Sequence, residues 1–209
     1  MSWSARAQLY RDSPAHREGE DLDLVVEWAA GAATALDVAT GGGHVARRLR
    51  EAGINVVSVD PAPGMEPDVV SRGEDLPFAD GSFDVVTCRV AAHHFEDVEK
   101  AVFEMARVSR DRVIVVDNLF LDELAEEADR VRDPSHVRNY TEKEWRELFE
   151  SAGLRIEEVR RLQKQIEIEP SLERAGTPEA DAQRFRELLA DRIEAGWITL
   201  DRLAILGRK

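Results

Sequence analysis

The segment Arg112-Val-Ile-Val-Val-Asp117 sets four apolar residues in succession between two charges. Successive strand residues point to opposite faces, so an unbroken apolar run belongs to a sheet covered on both sides. Thr34-Ala-Leu-Asp-Val38, Ile54-Asn-Val-Val-Ser-Val59 and Phe83-Asp-Val-Val-Thr-Cys88 share this character, with a brief extended piece at residues 68–71. Helical spacing fills the gaps: Leu22, Leu24, Val25, Trp28 and Ala29 over residues 20–30, then residues 44–52 stopped by Gly53. Val98, Ala101, Val102 and Met105 follow at i, i+3, i+4 and i+7. Strands alternating with helices predict an α/β chain, a Rossmann-like, doubly wound, mostly parallel sheet.

The second half breaks the alternation. Leu121, Leu124, Ala128 and Val131 form a helical stripe, and Thr141-Glu-Lys-Glu144 is a capping box opening a helix that carries Trp145, Leu148 and Phe149. Ile166 and Ile168 alternate with charges as in a strand. Thr177-Pro178 supplies an N-cap and a first-turn proline for a helix over residues 178–195, and residues 198–206 form a last strand. Two strands separated by that helix predict an antiparallel edge, for seven strands in all. Trp145 and Trp197 are expected in the core.

Length and charge narrow the partners. With 209 residues, 28 basic against 42 acidic and a net charge of −14, one domain over residues 1–209 is expected, poorly suited to nucleic acid or anionic lipid. Its expected parts are an N-terminal segment and helix (1–31), a half bearing the first strand ends (32–118), and a second half (119–209) covered by the helix at 178–195. A single cysteine, Cys88, precludes an internal disulfide. No apolar run approaches the ~18 residues of a membrane span, and the first residues carry no apolar signal core. The expectation is a cytoplasmic protein.

In such sheets ligands bind at the carboxyl ends of the strands, here after residues 38, 59, 88 and 117. The first of these ends is Asp37-Val-Ala-Thr-Gly-Gly-Gly43-His-Val-Ala46. Residues 41–46 satisfy G-x-G-x-x-A, and Asp60 follows Gly41 by nineteen residues, where a ribose-binding acid belongs. Alone, this keeps an NAD(P)-dependent oxidoreductase open. Against it, Tyr140 and Lys143 lie three apart, not the four of a Tyr-x-x-x-Lys pair. Asp37 beside the loop also suits a cationic ligand better than a pyrophosphate, which favours S-adenosylmethionine (SAM), whose sulfonium and amino groups are positive.

Leu36-Asp-Val-Ala-Thr-Gly-Gly-Gly43, Val57-Ser-Val-Asp60 with Met65, and Glu74-Asp-Leu-Pro-Phe-Ala-Asp-Gly-Ser-Phe-Asp84 resemble successive motifs of class I SAM-dependent methyltransferases. The branch resembled is that of the ubiquinone/menaquinone-type enzymes (methyltransferase domain type 11). Cys88-Arg-Val-Ala-Ala-His-His-Phe95, Arg132-Asp-Pro-Ser-His-Val-Arg138, Arg174-Ala-Gly-Thr-Pro178 and Leu203-Ala-Ile-Leu-Gly207 are similar to its bacterial YcgJ-like subgroup. The resemblance implies that Ala39, Gly41 and Gly43 line the methionine part of SAM, with Ala39 replacing a usual glycine and Asp37 the motif's acid. Asp60 is implied to accept the ribose hydroxyls, Pro61 and Met65 to flank adenine, and a backbone N–H of Gly73 or Glu74 to meet the ring edge. Arg89 and Val90 would cap the pocket, and Tyr10 and His16 would fold over it as a lid. The resemblance thus implies that residues 1–31 are a lid, that 32–118 bind the cofactor and that 119–209 face the acceptor.

Two departures stand out. Arg72 occupies a position where relatives often carry an acid, and the short stretch after Asp60 leaves no room for a helix, so an open adenine side is expected. For the acceptor, His94 and Asn118 are candidates, His94 for substrate or cofactor contact and a catalytic role, with His93 structural. His136 and Arg138, beside Asp133, are candidates for recognising a carboxylate. No further histidine–carboxylate cluster is expected, hence no metal. The activity implied is direct in-line methyl transfer to a small molecule, leaving S-adenosylhomocysteine (SAH), by a monomer or homodimer. A SAM-binding but non-catalytic module is the alternative that Arg72 and the short segment suggest.

Overall fold

The computed structural model describes residues 2–209; Met1 lies outside the described residues. Seven strands form one sheet in the order β3-β2-β1-β4-β5-β7-β6. They are β1 (Thr34–Val38), β2 (Asn55–Asp60), β3 (Val69–Val70), β4 (Phe83–Arg89), β5 (Ser109–Asn118), β6 (Arg155–Glu167) and β7 (Trp197–Arg208). The first five pair in parallel, and β7 runs antiparallel to both β5 and β6. The antiparallel pairing thus sits at the expected end of the sheet, with β7 one strand in from the margin.

The apolar run of β5 shows why both faces are covered. Ile114 and Val116 pack with Leu22, Val25 and Trp28 of α3 (Glu20–Trp28) and with Val45 and Leu49 of α4 (His44–Glu51). Val113 and Val115 point the other way, into a core with Met105 of α5 (Val98–Val108) and Trp145 and Phe149 of α7 (Glu142–Ser151). The expected capping box of α7 is present, with Thr141 and Glu144 bonding each other's backbone.

A third core cluster gathers the helices of the second half of the chain. It joins Ala128 of α6 (Glu123–Arg132), Leu172 of α8 (Ile168–Ala175), Phe185 of α9 (Glu179–Leu188) and Ile198 of β7. Here several expectations are corrected. Ile168 opens α8 instead of extending the strand, because Ile168, Ser171, Leu172 and Ala175 make one buried helical face. The helix expected over 178–195 ends at Leu188, followed by a 3-10 turn at Ala190–Arg192. Its N-cap is Pro178, without a side-chain bond, while the Thr177 hydroxyl donates to the Arg132 carbonyl at 2.7 Å. Trp197, Leu121 and Leu124 are exposed, not core.

Only a 3-10 turn, Pro63–Met65, follows β2, as the short segment requires. The N-terminal segment packs against this turn where an open side was expected. The N-terminal residues fold into α1 (Trp3–Asp12) and α2 (Pro14–Arg17), and α1 lies against the turn. Ala7 packs with Ala62 and Met65, and Gly64 donates its N–H to Ser4 Oγ at 3.0 Å. A Cβ on Gly64 would stand 2.6 Å from the Ser4 backbone, so the glycine permits this approach. No helix among the described residues is long and apolar enough to cross a membrane.

Candidate functional site

Parallel β1 is flanked by β2 on one side and β4 on the other, so the chain changes direction of winding there. Two cavities open at the carboxyl ends of these strands, as the topology leads one to expect. The first, of about 490 Å3, is walled by the β1–α4 loop, the tip of β2, the 72–74 turn, the end of β4 and α1. The second, of about 420 Å3, lies beyond β5 beneath α6, α8 and α9. Tyr10, His16, Val90 and His94 line both and form the junction.

Backbone conformation shapes the junction. Ala39 has φ +54° and Val90 φ +53°, a left-handed region that favours glycine and is uncommon for a β-branched residue. Val90 is held there by its N–H, which donates to the Val116 carbonyl at 2.7 Å. Such held strain clusters at ligand sites.

The acids expected here have separate tasks. Asp37 is buried; its Oδ2 accepts from the Thr40 hydroxyl (2.6 Å) and the Ala46 N–H (3.2 Å), and its Oδ1 from the Thr87 hydroxyl (3.0 Å). It braces the glycine loop, and burial pushes its carboxyl up to about 6. Asp60 faces the cavity. Each of its oxygens accepts one backbone N–H, from Gly41 and from Ala62, both at 2.9 Å. Burial raises its pKa while those two bonds lower it. A carboxylate has about four lone-pair sites, so capacity remains for two further donors.

The N-terminal segment is anchored over this cavity. The Tyr10 carbonyl meets His44 Nε2 at 3.0 Å, and His16 Nδ1 lies 2.8 Å from Ser13 Oγ. Arg89 Nη1 donates to the His16 carbonyl at 3.1 Å while Arg89 Nε donates to Asp21 at 2.8 Å. Arg72 pairs with Glu74 and Glu96, and Glu74 also accepts the Glu96 N–H at 3.0 Å. The basic side chain is thereby drawn between two acids at the rim.

His93 and His94 divide as their surroundings dictate. His93 is buried against Asp117, with Nδ1 2.6 Å from Oδ1 and its N–H donating to Oδ2 at 2.9 Å. Burial disfavours the imidazolium, but the Asp117 charge overrides it and raises the His93 pKa. The His94 ring lies 4.1 Å from that of His93 and edge-on to Trp3 at 4.9 Å. Burial, then the neighbouring imidazolium, push its pKa down to about 3. The neutral ring donates from Nδ1 to the Ser135 carbonyl at 3.1 Å, which leaves the lone pair on Nε2.

Of the cofactor-side residues named from the sequence, Tyr10, His16, Asp37, Ala39, Gly41, Asp60, Pro61, Met65, Gly73, Glu74, Arg89 and Val90 line the first cavity. Gly43 does not: at φ +75° it is the N-cap of α4. On the acceptor side His94 and Asn118 line the second cavity, but His136 and Arg138 do not. Arg138 turns outward to Glu144 (2.6 Å), over the Tyr140 ring. His136 is buried with Nε2 3.1 Å from Glu126. The expectation of no further histidine–carboxylate cluster is corrected as well: donor atoms of Glu126, Asp129 and His136 lie within 4.8 Å of one another. Asn139 knits the group, its amide donating to Glu126 (2.7 Å) and Asp129 (3.0 Å). The i, i+3 acids of α6 were the sequence signal for it. Unforeseen wall residues include Trp3, Thr40 and Phe95 in the first cavity and Arg174 and Phe185 in the second.

Comparison with known proteins agrees with this geometry. Residues 36–116 match the family model described as "Methyltransferase domain". The chain is 36% identical over 206 residues to the uncharacterized methyltransferase YcgJ of Bacillus subtilis (strain 168), covering 87% of this chain and 81% of that protein. The crystal structure of the B. subtilis YcgJ protein superposes with a TM-score of 0.83 at 29% identity, over 90% of this chain and 97% of that one. The Bacillus halodurans C-125 protein BH2331 gives 0.76 at 28% identity, over 91% and 99%.

Proposed function

The chain belongs to the SAM-dependent methyltransferase family, and from that premise we propose that it methylates a small molecule held in the second cavity. The observation that carries the reading is Asp60. It is a cavity-facing carboxylate at the tip of β2, with each oxygen fixed by one backbone N–H and lone pairs left for the two hydroxyls of a ribose. The cavity volume and the braced Ala39–Gly42 loop suit the rest of SAM, with Pro61 and Met65 beside the base. SAM, when bound, supplies a methyl carbon activated by the sulfonium; as the acceptor's lone pair bonds to it, the carbon–sulfur pair returns to sulfur.

The protein's own part is mainly placement, which can supply most of the rate enhancement of a displacement. Tyr10, His16, Val90 and His94 stand where the two cavities meet. Neutral His94 lines that junction; with its pKa pushed down to about 3 it is too weak a base to keep the acceptor's proton, so its Nε2 orients an acceptor X–H by accepting a hydrogen bond while the proton leaves to solvent. The net charge of −14 makes nucleic acid a poor acceptor.

The test is calorimetry with SAH and NAD, followed by SAM turnover assays across small acceptors. The expected result is binding of SAH without binding of NAD. Absence of SAH binding overturns the proposal; binding without turnover on any acceptor favours the non-catalytic alternative.

A further inference from the structure

The second cavity contains a charge that has no counter-ion among the described residues. Arg174, on α8, is 9% exposed and lines this cavity, not the first. Its hydrogen bonding among the described residues consists of Nη1 to the Pro170 carbonyl at 3.2 Å, and its guanidinium lies 5.9 Å from the Tyr10 ring centre. The other arginines of the wall differ. Arg132 pairs with Asp129, Arg161 with Glu142, Arg192 with Asp122, and Arg202 with Asp21. Burying an unpaired cation is costly, and a protein of net charge −14 has no shortage of carboxylates to place there. Burial lowers the Arg174 pKa, and Arg132 and Arg202 lower it further; the phenol of Tyr10 is the one opposing influence. The wall combines an apolar part, Ile166, Ile168, Phe185, Leu189 and Ile198, with the acids Asp129, Asp133, Glu142 and Asp201; the first three pair with Arg132, Arg6 and Arg161, Asp201 accepts from Gln163, and none pairs with Arg174 among the described residues.

We propose that Arg174 is the anchor for a carboxylate on the methyl acceptor, so that the substrate class is a monocarboxylic acid with an apolar body. The inference rests on the reading of the second cavity as the acceptor site. A planar guanidinium with Nε and Nη2 free matches a carboxylate's two oxygens, and the apolar walls take the remainder of the molecule. The carboxylate is held and does not react; another atom of the acceptor receives the methyl group.

The test uses octanoate and 4-phenylbutyrate against their primary amides and octyl phosphate, titrated into the full chain with and without SAH. Binding of the acids, with no binding of the amides and weaker binding of the phosphate, is expected. Arg174→Gln lowers acid affinity about tenfold to a hundredfold, the scale of a hydrogen bond to a charged group, and leaves SAH affinity unchanged. Arg174→Met is a second variant, expected to raise the denaturation midpoint of the ligand-free protein, because it removes the uncompensated charge. A structural arginine would give the opposite shift.

Equal binding of acids and amides, tighter binding of octyl phosphate, or unchanged acid binding by Arg174→Gln overturns the proposal. So does loss of SAH binding in that variant, which would assign the cation to the cofactor's own carboxylate. If the wild-type protein fails to bind SAH but binds the acids through Arg174, the anion site stands and the methyltransferase reading falls.

Discussion

Asp60 and His94 show how far one side chain's surroundings settle its part. Asp60 offers its remaining lone pairs into the first cavity, so Asp60→Ala should weaken SAH binding by about 1.5–3 kcal/mol, the scale of hydrogen bonds to a charged group; unchanged calorimetric affinity would move the ribose elsewhere. On the proposed reading, in which the His94 Nε2 orients the acceptor, His94→Ala should instead lower turnover with little change in SAH affinity. The same ring makes a pH prediction. Its folded pKa lies below the ordinary 6.5, so as the medium is acidified past 6.5 the unfolded chain takes up a proton that the folded ring refuses. Stability is therefore lost as pH falls from 6.5 toward 3, and His94→Gln should flatten that part of the denaturation midpoint's pH profile. His93, raised by Asp117, works in the opposite sense, with stability present below 6.5 and lost as pH rises through its folded value.

At the level of elements, legibility followed the strength of the periodic signal. β5 and α7 were readable, because an unbroken apolar run and a capping box each have one structural meaning. α8 was not, because Ile166 and Ile168 alternate across the junction where β6 hands over to the helix. The helical face 168, 171, 172 and 175 starts only on its second member. α1 carries almost no apolar face and is held by its contacts with the 62–65 turn, which no local pattern announces. The candidate site divides the same way. Asp60, singled out by its spacing to the glycines, lines the first cavity. His136 and Arg138 were misplaced, because a loop's side-chain directions depend on what packs beneath it. Arg174 was missed as a wall residue, because its significance is the partner it lacks. The α1 contact has its own test. A Cβ on Gly42 would stand 2.9 Å from the Tyr10 carbonyl and 2.7 Å from His44 Nε2. Gly42→Ala should therefore push α1 off the loop, at a cost of about 1–3 kcal/mol, divided between a lower denaturation midpoint and weaker SAH binding. An unchanged SAH affinity would mean that α1 does not help to form the cofactor wall.

At the scale of the whole molecule, one buried charged node joins distant parts of the chain. Asp21, on α3, accepts from both Arg89 of β4 and Arg202 of β7 at 2.8 Å, and all three are buried. One carboxylate thus faces two guanidinium groups and ties elements from residues 21, 89 and 202 into a single floor. Arg202 continues to Asn118 (3.1 Å) and Arg89 to the His16 carbonyl, so the same node positions walls of both cavities. Burial raises the Asp21 pKa, but Arg89 and Arg202 outweigh it and hold the carboxyl below its usual range. Asp21→Asn leaves two buried cations facing each other, and removing one partner of such a group costs about 3–5 kcal/mol. Denaturant titration should register that loss, while Asp23→Asn, which breaks only an exposed pair with Arg48, should stay within about 0.5 kcal/mol of wild type. Adding Arg202→Met to Asp21→Asn should recover part of the stability by removing one of the stranded charges. If Asp21→Asn is as stable as wild type, the two arginines are compensated by something other than this acid, and the node does not hold the two cavity walls together.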